Sequence, residues 1–489
     1  MAEVPQSKSV WRYAKASKAH VVVDAEEYYA KMREAMLAAE HRIMLIGWDF
    51  DTRILLCRRE PGFRAARGDP PDRLGDFILW LARRKPRLEI RLLKWNFGAL
   101  KMFLRGTMPL HLLRWWMTPG IDFKFDGAHP VGCSHHQKIV VIDDTFAVCG
   151  GIDMTGDRWD TSAHIEDDPR RMRPTGKPYG PWHDCTMALE GEAARVLGDY
   201  GRERWVQAGG KAMEPCPPRD GSPWPESLSA EFNDVDIGLA RTRSKYEDIV
   251  ETREIEALFL EQIARARHFI YAESQYFASR KVAEAIGARL AEPDPPEIVV
   301  INPESADGWL EQAAMDTARI RLLHALRDRD HAKRFSLWCP YASKGTPIYV
   351  HAKVMIVDDE VLRVGSANLN NRSMGLDSEF DVFIDAARSG GDAARNAIRR
   401  LRVSLLAEHT GMEPEAVAEL LDQNGSMAGM LDAVAKGGKC LRRYEIRPLT
   451  EAEEAIADAE ALDPERPEEM LSFYNRRGLF RSRILRRPN

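Results

Sequence analysis

One pattern occurs twice in this 489-residue chain, and it limits the possible folds more than any other feature. SHHQKIVVIDDTFAVCGGID spans residues 134 to 153, and VHAKVMIVDDEVLRVGSANLNNRS spans 350 to 373. Each copy reads His, one residue, Lys, four residues, Asp: His136, Lys138 and Asp143, then His351, Lys353 and Asp358. Gly150-Gly151 and Gly365-Ser366 follow at the same interval, and Asp153 and Asn368 come two residues later. A motif repeated with its trailer implies a repeated structural unit.

Both copies are β-rich, with apolar runs at 139–142 and 354–357. Side chains two apart on a strand share a face, so His136 is expected to project with Lys138, and His351 with Lys353. An imidazole beside an ammonium suits a phosphate ester. One group attacks or gives a proton, and the other holds charged oxygen. Asp143 and Asp358 belong to the candidate catalytic set by position. They fall where the chain turns into another strand, so a mainly structural role is expected of them.

The repeat extends beyond the motif. Residues 24–40 have helical periodicity with Asp24 as N-cap, followed by a strand from Arg42 to Trp48, a helix at 73–84 and a strand from Leu88 to Trp95. The order recurs as a helix from Ile255 to Arg267, a strand from Phe269 to Ser274, a helix at 281–291 and a strand at 297–302. AEHRIMLIGWDF (39–50) and ARHFIYAESQYF (266–277) look like one unit used twice. Alternating strands and helices predict an α/β fold of two similar lobes, each a mixed sheet flanked by helices. A pseudo-twofold axis would bring both motifs to the seam. The expected divisions are 1–208, a Pro- and Gly-rich linker at 209–231, 232–410, and a helical extension with a basic tail at 411–489.

Composition narrows the function. Hydrophobic content of 44% and charged content of 30% fit a globular protein, and the net charge of −5 does not favour a nucleic-acid partner. The seven cysteines show no Cys-x-x-Cys, so neither a zinc framework nor a disulfide framework is expected. No cofactor or metal is expected. The N-terminus has no signal-peptide core and no run is long enough to span a membrane. A monomer is expected, in the cytoplasm at a membrane surface, with signal-less secretion as the other address. Residues 100–117 end in Trp115-Trp116 and read first as a packed helix, second as a membrane-contacting segment. The Arg-rich end reads equally as a lipid-binding tail or a solvated one.

The two motifs, with GGIDMTGDRWD (150–160), PWHD (181–184), ESQYF (273–277) and GSANLNNRSMGLDSE (365–379), resemble the phospholipase D superfamily, and within it the phosphatidylcholine-hydrolysing branch. The likeness runs from about Trp11 to about His409. It implies cleavage of the distal phosphodiester of a phospholipid through a phosphohistidine, with transfer to alcohols as a companion reaction. His136 would be the nucleophile and His351 the acid-base, an order the residues alone leave open. Lys138, Lys353, Asn368 and Ser366 would hold phosphate oxygens. Acids downstream would orient the imidazoles, Asp184 for His136 and Glu379 for His351. Asp153 cannot donate to phosphate when ionised, so it is expected to orient Lys138 or a nearby amide. His135 should face away into packing. The alternatives are a cardiolipin synthase-like phosphatidyltransferase and a nucleic-acid phosphodiesterase.

Overall fold

The computed structural model describes residues 8–58, 68–96, 105–306, 309–434 and 438–448, without the side chains of 309–314. The Arg-rich tail and the last part of the expected helical extension, from residue 449 on, lie outside the described residues.

The first half runs β1 (Arg12–Val23), α1 (Ala25–Ala38), β2 (Arg42–Gly47), α2 (Leu74–Arg84), β3 (Glu89–Trp95), α3 (Met108–Trp116), β4 (Ile121–Asp126), β5 (Ile139–Ile142), β6 (Phe146–Gly150), β7 (Trp182–His183), β8 (Cys185–Gly191) and α4 (Glu192–Gln207). The second runs β9 (Phe232–Arg243), β10 (Thr252–Arg253), α5 (Glu254–Arg265), β11 (Phe269–Glu273), α6 (Arg280–Leu290), β12 (Glu297–Ile301), α7 (Trp309–Arg327), β13 (Phe335–Tyr341), β14 (Tyr349–Val350), β15 (Val354–Val357), β16 (Val361–Gly365), α8 (Asn371–Gly375), β17 (Glu379–Asp385) and α9 (Gly391–Thr410). Then come α10 (Pro414–Asn424), α11 (Met427–Val434) and β18 (Cys440–Arg443). The extension is thus not wholly helical. Its strand β18 pairs antiparallel with β13 and covers that edge.

One mixed sheet of sixteen strands carries the fold among the described residues. From its middle, one side runs β1-β8-β6-β5-β2-β3-β4 and the other β9-β17-β16-β15-β11-β12-β13. The two sides share one pattern of crossovers. β1 and β9 join them as an antiparallel pair, from Arg12 opposite Leu239 to Ala19 opposite Phe232. No helix or strand lies between Gln207 and Phe232, where Pro and Gly are dense.

Alternation along the strands sorts the core into layers. Ile139, Val141, Val354 and Ile356 pack with α4 and α9 in one layer that spans both halves. Val140 and Ile142 face α1 and α2 on the other side, and Met355 and Val357 face α5 and α6. Both faces of these four-residue strands are therefore buried, which accounts for their continuous apolar runs.

Each motif strand ends in a tight turn. Asp143-Asp144 and Asp358-Asp359 all have φ between 52° and 54°, a region that Asp tolerates. Asp143 accepts the backbone N–H groups of Glu40, His41 and Arg42 at 2.7–2.8 Å. Asp358 accepts those of Arg267, His268 and Phe269 at 2.7–2.8 Å. Each carboxylate thus fastens the start of a neighbouring strand. Neither lines the cavity that holds the two histidines. Their place in the catalytic set is corrected to a structural one. Asp358→Ala should lower stability by about 2–4 kcal/mol, since three donors lose an acceptor. Urea titration reads the loss, and the rate per folded molecule should hold.

Helix α3 divides the two tryptophans. Trp115 is buried and its indole N–H donates to Gly75 O at 3.1 Å, whereas Trp116 is 81% exposed. Leu110, Leu113 and Met117 are exposed beside Trp116. Asp24 is no N-cap. Its φ is 63° and its side chain makes no capping bond.

Candidate active site

β5 and β15 begin at Ile139 and Val354, so the His-x-Lys segments sit just ahead of the strands rather than on them. Backbone bonds tie each segment to the opposite half. His136 N–H donates to Ser378 O at 2.9 Å, and Ser378 N–H to Ser134 O at 2.8 Å. His351 N–H donates to His183 O at 2.8 Å, and Tyr349 N–H to Pro181 O at 3.0 Å. There β14 pairs in parallel with β7.

The residue just after each tie is an acid, and it faces the histidine that the tie holds. Glu379 follows Ser378, and both its oxygens lie 3.1 Å from His136 Nδ1. Asp184 follows His183, and its Oδ2 lies 2.7 Å from His351 Nδ1. The expected pairing is therefore exchanged: Glu379 serves His136 and Asp184 serves His351. Sequence order puts each acid in the same half as the wrong histidine, because the bridging is between halves.

The bonds fix a tautomer. His136 Nδ1 also lies 3.1 Å from Ser366 O, and a carbonyl can only accept. Nδ1 therefore carries hydrogen, and in the neutral ring Nε2 keeps a lone pair. Ser366 donates its hydroxyl to Glu379 Oε2, and Ser373 donates to Oε1 at 2.7 Å. Ser366 is fully buried behind Glu379. Its expected phosphate contact is corrected: it positions the carboxylate instead. At the matching place in the first copy stands Gly151, where a Cβ would come within 2.0 Å of Asp184 Oδ1. The Gly-Gly and Gly-Ser trailers thus differ because one carboxylate presses on the backbone and the other takes a hydroxyl.

The lysines stand behind the imidazoles. Lys138 Nζ donates to His136 O at 2.6 Å and lies 3.5 Å from Asp153 Oδ2. Asp153 Oδ1 accepts Trp48 N–H at 3.1 Å, so this acid touches both the lysine and an amide. Lys353 Nζ donates to His351 O and lies 3.1 Å from His351 Nδ1. Asn368 lines the cavity, and its side-chain oxygen has no hydrogen-bond partner among the described residues. His135 turns away, to Asp126 at 3.0 Å and Ser378 Oγ at 3.0 Å.

His136 and His351 line one cavity of about 350 Å³. Burial, then the nearby lysines, holds both imidazoles well below their usual pKa. Burial also lowers Lys353 to about 7, against the opposing pull of Asp184. It raises Asp184 to about 6 and Glu379 to about 8. With no anion present, the rings are neutral and the surroundings are cationic.

Sequence reading missed the walls. Trp48 and Trp95 stack at 5.7 Å, and Trp48 meets His136 edge-on at 6.5 Å. Trp182 stacks on Tyr349 at 4.5 Å and leans on His351 at 5.2 Å. The Arg158 guanidinium lies 4.1 Å from the Trp182 ring centre and faces the cavity with Arg372. A signal for the two arginines was present. They come five residues after Asp153 and four after Asn368, at nearly matching places in the repeat.

A family model described as phospholipase D matches residues 325–457. Phospholipase D alpha 1 of Nicotiana tabacum is 25% identical over 531 residues, covering 78% of this chain and 63% of that protein. Phospholipase D alpha 2 of Oryza sativa subsp. japonica is 28% identical over 524 residues, with 78% and 63% covered. The chain thus spans a little under two thirds of the length of these curated relatives. Among solved structures, the phosphatidylserine synthase of Haemophilus influenzae Rd KW20 has a TM-score of 0.54 at 12% identity, over 87% of this chain and 97% of that one, a likeness of fold. The doubled motif, the family match and the curated relatives agree in pointing to the phospholipase D superfamily.

Proposed function

We propose that the chain is a phospholipase D. It cleaves the distal phosphodiester of phosphatidylcholine or a related glycerophospholipid, yielding phosphatidate and the free headgroup. The observation that carries this reading is a pair of imidazoles on one cavity, each with its own carboxylate.

His136 Nε2 attacks phosphorus as the bond to the headgroup oxygen breaks. His351, protonated, gives its proton to that oxygen. The phosphodiester's negative charge offsets the cationic surroundings and favours the imidazolium once substrate is bound. Water then yields a proton to His351 and attacks the phosphohistidine, releasing phosphatidate; an alcohol in water's place gives a phosphatidyl-alcohol. Lys138, Lys353 and Asn368 are the donors for the non-bridging oxygens. The aromatic walls suit a quaternary ammonium headgroup, which binds ring faces through cation–π attraction. The exposed Leu110, Leu113, Trp116 and Met117 suit contact with a lipid surface.

Phosphatidylcholine vesicles with a short alcohol test the reading. Choline and a phosphatidyl-alcohol should both form. Choline without the adduct would sink the phosphohistidine route. DNA cleavage without headgroup release would move the chain to the nucleic-acid phosphodiesterases.

The free enzyme's pH profile follows from Lys353. Its group is lowered to about 7, so the ammonium exists below that pH and is lost above it. kcat/KM should therefore fall as pH rises through about 7. In Lys353→Arg, whose charge persists, that limb should vanish although the rate itself drops. An unmoved limb would assign it to another group.

A further inference from the structure

A buried cluster of imidazoles and carboxylates lies beside the Asp184–His351 pair and takes no part in the chemistry above. We propose that it is a binding site for a divalent transition-metal ion, zinc by its donor set, that clamps both halves of the chain behind the active site. The ligand atoms are His164 Nε2, His183 Nδ1, one Glu408 oxygen and one Asp24 oxygen.

The four side chains are at most 6% exposed. Glu408 Oε1 lies 2.6 Å from His183 Nδ1 and 3.0 Å from His164 Nε2. Asp24 Oδ1 lies 3.3 Å from His183 Nδ1, and Asp24 Oδ2 lies 3.9 Å from His164 Nε2. A tetrahedron with bonds of about 2.0 Å has edges of about 3.3 Å; with Asp24 Oδ2 as the ligand oxygen, the edges from Glu408 Oε1 and Asp24 run from 2.6 to 3.9 Å around that value.

The far nitrogens are equally informative. His164 Nδ1 is held by Asp160 at 2.9 Å, and His183 Nε2 by Glu273 at 2.8 Å. A carboxylate behind each imidazole orients the ring and strengthens its free nitrogen as a donor, the usual support of a metal-ligating histidine. Arg171 braces Asp160 at 3.0 Å, and His409 and Tyr271 brace Glu273. Hydrogen bonds alone leave Asp24 Oδ2 buried without a partner among the described residues. A cation gives that oxygen its partner. Two nitrogens with two carboxylates favour zinc or a neighbouring first-row ion over calcium or magnesium, which take oxygen ligands.

The clamp joins segments distant in sequence: the start of α1, the loop before β7, β7 itself and the end of α9. His183 O is also the acceptor that holds His351 N–H at 2.8 Å. An ion here would steady the wall that carries Asp184, Trp182 and Arg158.

Metal analysis of the full chain, purified from zinc-supplied cells without chelator, is the test. About one zinc per chain is expected. Stripping with dipicolinate should lower Tm on the order of 5 °C, and zinc should restore it. Cobalt(II) added to the stripped protein should give the intense visible bands of a tetrahedral site. His164→Asn and Glu408→Gln should each lower metal retention at least about tenfold. Less than about a tenth of an equivalent in the wild-type protein, with no Tm response to zinc or cobalt, would overturn the site and leave an ion-pair network. The readouts are metal content and Tm, so either result leaves the phospholipase reading standing.

Discussion

His136→Asn should abolish headgroup release, with a loss of at least about 10⁴-fold, and should never accumulate a phosphatidylated protein. His351→Asn should behave differently although its steady-state loss is also large, on the order of 10²–10⁴-fold. It retains the nucleophile and lacks only the proton donor. A substrate with an acidic leaving group, such as a p-nitrophenyl phosphodiester, needs no proton to depart. On that substrate His351→Asn should give a burst of about one nitrophenolate per chain and then stall, because no base activates water. Intact-protein mass should show one added alkyl-phosphoryl group, the diester less its nitrophenolate, absent from His136→Asn. The two histidines are too alike in local sequence for the residues to assign these roles. The opposite result, a burst in His136→Asn and none in His351→Asn, would exchange them. A burst in both would remove the phosphohistidine.

What the sequence could convey was local. The runs at 139–142 and 354–357 are strands β5 and β15 to the residue, because short apolar runs bounded by turn residues have few other solutions. The side-by-side repeat of helix and strand was likewise readable from periodicity. β1 and β9, twelve residues each, were not. RYAKASKAHVVV mixes charge with apolar residues without strict alternation, and its burial along the strand is correspondingly irregular. Asp24 stood where an N-cap belongs, but a helix signal cannot say that two buried histidines lie within reach of the same carboxylate. Ser366 fitted a phosphate contact by position, and only the fold puts Glu379 between its hydroxyl and the cavity. In each miss the deciding partner lies outside the local segment, thirteen residues on for Ser366 and much farther for Asp24.

The exchanged acids give the second large effect. Asp184→Asn should impair the step that His351 serves, and Glu379→Gln the step that His136 serves. With the natural substrate, Asp184→Asn should lose about 10²–10⁴-fold, because the imidazolium that must form on His351 loses its carboxylate. With the p-nitrophenyl diester its burst should stay near the wild-type rate while turnover after the burst slows. Glu379→Gln should slow the burst itself on both substrates, since His136 loses the acceptor that holds Nδ1–H and turns Nε2 toward phosphorus. Pairwise combinations separate this from general damage. Asp184→Asn added to His351→Asn should change little, because the carboxylate's client is already gone, and Glu379→Gln added to His136→Asn should change equally little. The crossed pair Asp184→Asn with Glu379→Gln should multiply, since the two losses fall on different rings. If instead Asp184→Asn slowed the burst and Glu379→Gln spared it, each acid would be serving the histidine of its own half, and the backbone ties of His136 to Ser378 and of His351 to His183 would not govern the chemistry.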